Sequence, residues 1–565
     1  MSQKHANTVY TGTVELKNGV YVFVSDEDGT ETEINCGLPR GCRAGDLVCA
    51  TERDGRIVVT EVLGPAADAE ANIKAIMRRE RLEDPFNFGA VLQAKQTAFA
   101  ETTEFKKSRV DLRGKTVITL SESEGSRSEC GFSVERDKDG NYVLGLHTID
   151  AAEIIPKGSA LEDAAFERGK TVVLPYKEIP MLPETLTQGP CFFEVGEDRL
   201  AVSYLLTIDE NGKVLSFDFC ESVVKTAANC LFDEIEALLL NYDTSAIMLL
   251  REAYASVFPT LNEMFMLGGI VQNARVLSGD ADIDCAEQKL LYSRHGGKPI
   301  GVVSQKESDP KLLIRQFLAI AGKELALYLN RNNIPALYRV QPLPDKEDVE
   351  RFESRANALG IDTKNAGGAS VFAAAAERSH GMRTEELLLR ELHSALKEPG
   401  FASKPVRHVV HATDMYVRLA YPVNRLADFC IQRIVKEVIA SRESGEPIDR
   451  EALSAYVDRA IEASNRLEKR ASRAEEKIAD LVALYVLRRG GGRRYTGLVS
   501  DVNEGTIKVL LDNGCTGYIN LADYPSAEYK DGAVSFGGQT YSYGSDISAR
   551  FKNADFRADR LWLAL

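Results

Sequence analysis

The sequence predicts a multidomain protein in which an α+β central domain is flanked by small all-β barrels of the OB type. Three observations carry that expectation. The chain has 565 residues, too many for one hydrophobic core when ~100 to 200 residues per domain is usual. Short alternating apolar and polar runs, broken by turn residues, occupy both ends of the chain. Between them a block of strand-like runs precedes long helical stretches, the order expected of helices packed on one sheet.

The first module, residues 1–66, contains the runs VYTGTVEL, VYVFVS, TETEINC and DLVCATERDGRIVVTEVL, enough for a five-stranded barrel. Tyr21 and Phe23 alternate on one strand face, the placement either of base-stacking aromatics or of barrel core. The module is locally acidic, with six Lys/Arg against ten Asp/Glu between Lys4 and Glu61, which argues against a strong RNA role for it. Residues 67–110 read as a helical connector around ANIKAIMRRERL, broken at Pro85. Residues 111–490 form the α+β block, with strands VITL, FSVE, YVLGLHTI and LAVSYLLTI before helices such as PKLLIRQFLAIAGKELALYLNR. The Gly/Arg stretch from Arg488 to Arg494 then leads into a second barrel over residues 491–565.

Composition limits the function classes. No apolar run approaches the ~20 residues of a membrane helix and no signal-like core opens the chain, so a cytoplasmic protein without membrane contact is expected. The ten cysteines lack any C-x-x-C pair and read as reduced core thiols. His408 and His411 share a helical spacing, for which packing is the default role. A net charge of −15 has the wrong sign for coating nucleic acid, although a narrow channel with a local positive lining is compatible with it.

The string Ile179-Pro180-Met181-Leu182-Pro183-Glu184 is very similar to the signature of the ribonuclease II and ribonuclease R (RNB) exoribonuclease family. Around it, Asp111-Leu112-Arg113 resembles that family's D-L-R, and His147-Thr148-Ile149-Asp150 its H-I-A-D. Leu337-Tyr338-Arg339-Val340 resembles its L-Y-R-V, and Tyr421-Pro422-Val423-Asn424-Arg425 lies where the family writes S-P-I-R-R. The resemblance implies an RNB-like central domain, a cold-shock-like first barrel, single-stranded RNA as ligand and a monomer. Members cut RNA from its 3′ end using metal ions held by aspartates in the pattern D-x5-D-x-D-D.

Those positions correspond here to Ser121, Arg127, Glu129 and Cys130, so one acid of four remains and one ligand has become a cation. Magnesium takes oxygen ligands, and a two-metal site needs several carboxylates to offset its charge. The family's phosphate-steadying arginine corresponds to Asn424. No catalytic residue and no metal or other cofactor is therefore expected, magnesium entering only on the alternative that Glu122, Glu124 and Glu129 form a shifted acidic site. RNA-binding residues implied by the resemblance are Phe232, Arg425 and Arg433; strand alternation adds Tyr21 and Phe23 in the first barrel, and charge adds Arg127 as a metal-free phosphate grip. The expected layout places Leu120 to Val134 along a central cavity, with Arg127 near Asp150 and Asn424. The leading expectation is a degenerate ribonuclease-like protein that binds single-stranded RNA or an RNA-processing protein partner without hydrolysis. The alternatives are an active 3′-to-5′ exoribonuclease with an unusual metal site, and a protein-interaction scaffold.

Overall fold

The amino-terminal strands lie where the sequence predicts them, although β1 and β4 are buried in continuous runs rather than in alternation. β1 (Tyr10–Lys17), β2 (Val20–Ser25), β3 (Glu31–Glu33), β4 (Asp46–Arg53) and β5 (Arg56–Pro65) form an antiparallel sheet in the order β3-β2-β1-β4-β5. In this computed structural model the described residues are 9–99, 109–122, 125–239, 245–278, 286–292, 299–363 and 370–565. Among them no pairing joins β3 to β5, so the expected closure of this barrel is missing; β3 has only three residues with which to make it. Phe23 lies in the core of this module with Val14, Ile34 and Val48. A Cβ on Gly12 would sit 2.6 Å from the Phe23 ring, so the ring occupies the space that a glycine leaves.

Helices α1 (Ala69–Arg79) and α2 (Phe88–Phe99) follow, the first capped by the Asp68 carboxylate. The central sheet is built from β6 (Val110–Asp111), β7 (Val117–Ser121), β8 (Cys130–Arg136) and β9 (Tyr142–Ile149). After β9 come α3 (Ala151–Ile154), α4 (Ala160–Arg168), the hairpin β10 (Val172–Leu174) and β11 (Lys177–Ile179), and α5 (Glu184–Thr187). The long pair β12 (Asp198–Ile208) and β13 (Val214–Leu231) completes the sheet, ordered β12-β9-β8-β7-β13-β6. β13 pairs antiparallel with β12 and then, from Thr226 to Leu231, parallel with β7, so the sheet curls back on itself.

The helices expected after the strands are present. They are α6 (Phe232–Leu239), α7 (Ser245–Ala253), α8 (Phe258–Leu277) and α9 (Asp309–Arg331), with a hairpin of β14 (Glu287–Tyr292) and β15 (Pro299–Gln305) before α9. Beyond β16 (Tyr338–Val340), the helices α10 (Lys346–Ala358), α11 (Ser370–Ser379) and α12 (Glu385–Ala395) share a small core around Phe352 and Phe372. β17 (Gly400–Ala402) pairs with β16, and α13 (Leu426–Ser444) and the 40-residue α14 (Arg450–Arg489) follow. One continuous core joins sheet and helices, with Phe132 of β8 against Phe317 of α9 at 6.2 Å between ring centroids. Gly169, at φ +78°, ends α4 where a Cβ would meet the Leu467 Cβ at 2.4 Å, so α4 and α14 approach closely there.

The chain ends in a closed barrel of β18 (Arg494–Val502), β19 (Thr506–Leu511), β20 (Thr516–Asn520), β24 (Asp546–Asp555) and β25 (Arg560–Ala564). A three-stranded sheet, β21 (Glu528–Lys530), β22 (Ala533–Phe536) and β23 (Gln539–Ser542), is inserted before β24. The arginines of the preceding Gly/Arg stretch are partly engaged in packing, Arg488 lying over the Phe556 ring and Arg494 donating to Ser548. No helix of the described residues is long and apolar enough to cross a membrane. The nine described cysteines are free thiols; Cys285 lies outside the described residues.

Candidate nucleic-acid interface

The loop between β7 and β8 carries the altered positions, because the last residue of one strand is Ser121 and the first of the next is Cys130. It borders a cavity of about 650 Å³ lined by Leu120 to Glu122, Gly125 to Cys130, Phe132, Phe192, Val423 and Asn424. Ser123 and Glu124 of this loop lie outside the described residues.

Each of the four positions is committed in its own way. The Ser121 hydroxyl donates to Asn229 Oδ1 at 3.2 Å, alongside Thr119, which donates to the same atom at 3.0 Å. Glu129 is 3% exposed, and both its carboxylate oxygens are in use. Oε2 accepts from the Val423 N–H at 2.5 Å and Oε1 from Asn424 Nδ2 at 2.6 Å. Burial pushes this carboxyl up to about 8, against the pull of those two donors. Cys130 is buried beside it, and burial also holds its thiol well above the ordinary range. Asn424 is held from its other side by the Thr171 hydroxyl, which donates to Oδ1 at 2.6 Å. Arg127 is exposed at the cavity wall with its guanidinium 4.6 Å from the Phe192 ring centroid, and it makes no ion pair with a described carboxylate.

A larger cavity of about 1110 Å³ adjoins this one, the two sharing Glu122, Phe232, Ile314 and Tyr421. Its wall carries Lys311, Arg315, Arg339, Lys397, Arg418 and Arg425, opposed within the lining by Glu122, Glu307 and Glu398. Five of these six cations have carboxylate partners: Lys311 pairs with Glu122, Arg315 with Glu307 at 3.1 Å, Arg339 and Arg418 share Glu468 at 3.4 and 3.0 Å, and Lys397 pairs with Asp345 and Asp348. Arg425 instead lies over the Tyr421 ring at 4.7 Å. His408 and His411 stack at 4.5 Å on this wall, and burial with nearby arginines holds both imidazoles below the ordinary value, so they are neutral.

A family model for the RNB domain matches residues 109–441, more than half of the chain. The chain belongs to the RNB domain family. This RNB chain is 23% identical over 509 residues to ribonuclease R 1 of Lactococcus lactis, a match covering 88% of it and 61% of the relative. It is 24% identical over 512 residues to ribonuclease R of Thermotoga maritima, covering 88% and 71%. It thus spans about three fifths to seven tenths of these relatives' length. Among solved structures, the apo form of Mycoplasma genitalium RNase R has a TM-score of 0.85 at 19% identity, covering 99% of this chain and 90% of that one. Yeast Ssd1, described as a pseudonuclease, has a TM-score of 0.68 at 16% identity, covering 94% and 68%.

Within this RNB domain the structure brings together Ser121, Arg127, Glu129, Cys130, Asn424 and Phe232 around the smaller cavity, with Arg425 on the larger. Phe232 stands between the two, 5.6 Å from the Lys311 ammonium. Three expected residues are placed elsewhere. Phe23 is 2% exposed in the core of the first module and presents no face to a base, while Tyr21, 39% exposed, belongs to that same module. Arg433 is buried, donating to the Ala152 and Ile155 carbonyls at 3.0 and 2.7 Å and to Glu162 at 3.3 Å, so it clamps α3 and α4 to α13. Asp150 does not face Arg127 either, since its carboxylate is buried between Arg109 and Lys436, each at 2.7 Å. Asp150, Glu153 and Glu221 lie close enough to hold a metal ion, but the same two cations already occupy that cluster. The cavity-lining Lys311, Arg315, Lys397 and Arg418 escaped sequence reasoning; the i, i+4 spacing of Lys311 and Arg315 at the start of a helix was the available signal.

Proposed function

We propose that this RNB-family protein binds single-stranded RNA in its central cavities and does not hydrolyse it. The observation that carries the reading is the six-cation wall of the larger cavity, opening past Phe232 into the pocket of the altered loop. In a chain of net charge −15, a cleft whose lining carries six cations against three carboxylates gives a local positive excess that whole-chain charge conceals. Phe232 and Tyr421 add aromatic faces at the junction, and base stacking contributes ~1 to 3 kcal/mol per base.

The donor set speaks against hydrolysis. A magnesium pair requires free carboxylate oxygens, whereas the four positions offer a hydroxyl, a guanidinium, a buried carboxyl with both oxygens engaged, and a buried thiol. These residues do not fit such a pair. Of the alternative acidic set, Glu122 is paired with Lys311 and Glu129 is buried with both oxygens engaged. The same fold in M. genitalium RNase R has been captured with ribose-methylated single-stranded RNA, and yeast Ssd1 is described as a pseudonuclease, so the architecture is compatible with binding separated from cleavage.

On this reading residues 1–66 and 491–565 are OB-type modules, 67–110 a connector and 111–490 the RNB-like unit, in a cytoplasmic monomer. A 5′-labelled oligonucleotide incubated with Mg²⁺ or Mn²⁺, beside a gel-shift lane, tests the function. Retarded but intact RNA is expected. Metal-dependent shortening from the 3′ end would establish the exoribonuclease alternative, and intact, unretarded RNA at low salt the protein scaffold.

A further inference from the structure

A second cationic site lies outside the central cavities. Helix α14, helix α4 and residues 81–87 enclose a cleft of about 650 Å³ that contains Arg81, Arg168, Arg459, Arg466 and Arg470, with the carboxylates Asp84, Asp163, Glu167 and Glu462 also in its lining. Arg459, Arg466 and Arg470 recur on one face of α14, and the helix rises about 16 Å from the first to the last. Two of the five are neutralised locally, Arg81 by Asp84 at 2.6 Å and Arg459 by Asp163 at 3.3 Å. Arg168 is oriented by the Phe86 ring, 3.8 Å away, and by the Asp84 carbonyl, an arrangement that leaves its charge without a carboxylate partner. Arg466 and Arg470 make no ion pair with a described carboxylate, and Arg470 Nε is buried without a hydrogen-bond acceptor.

This is unusual in a chain holding 84 acidic side chains against 69 basic ones. Burial holds the guanidiniums of Arg168 and Arg470 below their ordinary range, against the pull of Asp84 and Glu167 on the first and of Glu80 on the second. The cleft is also connected. Arg168 is the one cation lining the neighbouring depression, together with Glu83, Asp84, Pro180 and Glu184, and the last two in turn line the pocket that holds Arg127.

We propose that this arginine cleft holds the phosphate backbone of single-stranded RNA outside the central cavities, extending the bound length beyond them. The inference rests on the proposed RNA binding. A strand is favoured over a phosphopeptide because the cations are spread along a helix and the depression runs on toward the RNA pocket.

The test is fluorescence anisotropy with oligo(A) of 6 and 20 nucleotides, comparing the full chain with Arg466→Gln/Arg470→Gln. Losing two phosphate contacts should weaken the 20-mer ~10-fold and flatten the slope of log K against log salt by about 1.4, leaving the 6-mer unchanged. Arg466→Gln alone, at an exposed position that folding tolerates, should flatten it by about 0.7. An unchanged 20-mer affinity and slope in both variants overturns this site alone. No binding of either length by the parent at low salt overturns both this site and the RNA reading. A doubly phosphorylated peptide that binds the parent but not the double variant, with 20-mer binding unaffected, overturns it in favour of a phosphoprotein partner.

Discussion

Replacing Glu129 by Gln should make the protein less sensitive to alkaline pH. In the folded chain this carboxyl titrates at about 8 rather than at the ordinary 4.5, because burial outweighs the two donors that face it. Below pH 4.5 the side chain is protonated in both folded and unfolded states, and the full stability is present. Between 4.5 and 8 the unfolded chain releases the proton while the folded chain keeps it, so stability falls as pH rises, and the loss is complete above 8. At about 1.4 kcal/mol per pH unit, the interval from 4.5 to about 8 amounts to roughly 5 kcal/mol. Gln cannot ionise, so this dependence disappears. Its amide can still accept from Val423 N–H and donate to a turned Asn424, at a cost of ~1 kcal/mol for reorganising two hydrogen bonds. Urea unfolding of both proteins from pH 4.5 to 9 should show Glu129→Gln slightly less stable at the acid end and more stable by several kcal/mol at the alkaline end. Parallel curves would refute the reasoning, because they would mean that Glu129 ionises normally in its buried position.

Three further outcomes are expected. Phe232→Ala should weaken RNA binding by the ~1 to 3 kcal/mol of one base stack with little change in melting temperature, measured by anisotropy beside thermal unfolding. RNA affinity should be indifferent to EDTA and fall with salt, and Arg127→Asp should lower it ~10-fold or more; equal binding by this variant would remove Arg127 from the interface. Arg433→Ala should cost ~3 to 5 kcal/mol of stability by stranding buried Glu162 and two carbonyls, while any folded fraction binds RNA like the parent.

Much of the architecture was legible because it is written locally. The alternation in residues 10–65, the apolar stripe of α9 and the strand pattern of the last barrel each reside in one stretch of sequence. The convergence of Ser121, Arg127, Glu129 and Cys130 was legible for the same reason, since a loop of fixed length between two paired strands holds them together. Where a residue's role depends on which element covers it, sequence reasoning failed. Period-two alternation set Phe23 and Tyr21 on one face but did not say where the covering core ends, and it ends between them. Arg433 looks like a ligand-facing cation on a helix, yet the C-terminal end of α3 supplies carbonyls that only the fold brings to it.

The basic cavity illustrates the same limit on a larger scale. Lys311, Arg339, Lys397, Arg418 and Arg425 come from distant segments, each surrounded in sequence by acidic or apolar neighbours, and the whole-chain charge of −15 points away from RNA. Their effect depends on meeting across a cavity wall, where low-dielectric surroundings weaken screening and the charges act together. Glu129 shows the converse. Counted as a charge in the sequence it is a leftover metal ligand, but burial, Val423 and Asn424 convert it into a tie between the β7–β8 loop and the segment leading into α13. The substitution at Asn424 and the retention of Glu129 are then one arrangement rather than two losses: the amide donates to the carboxyl group that remains and ties the loop carrying Arg127 to the segment before α13.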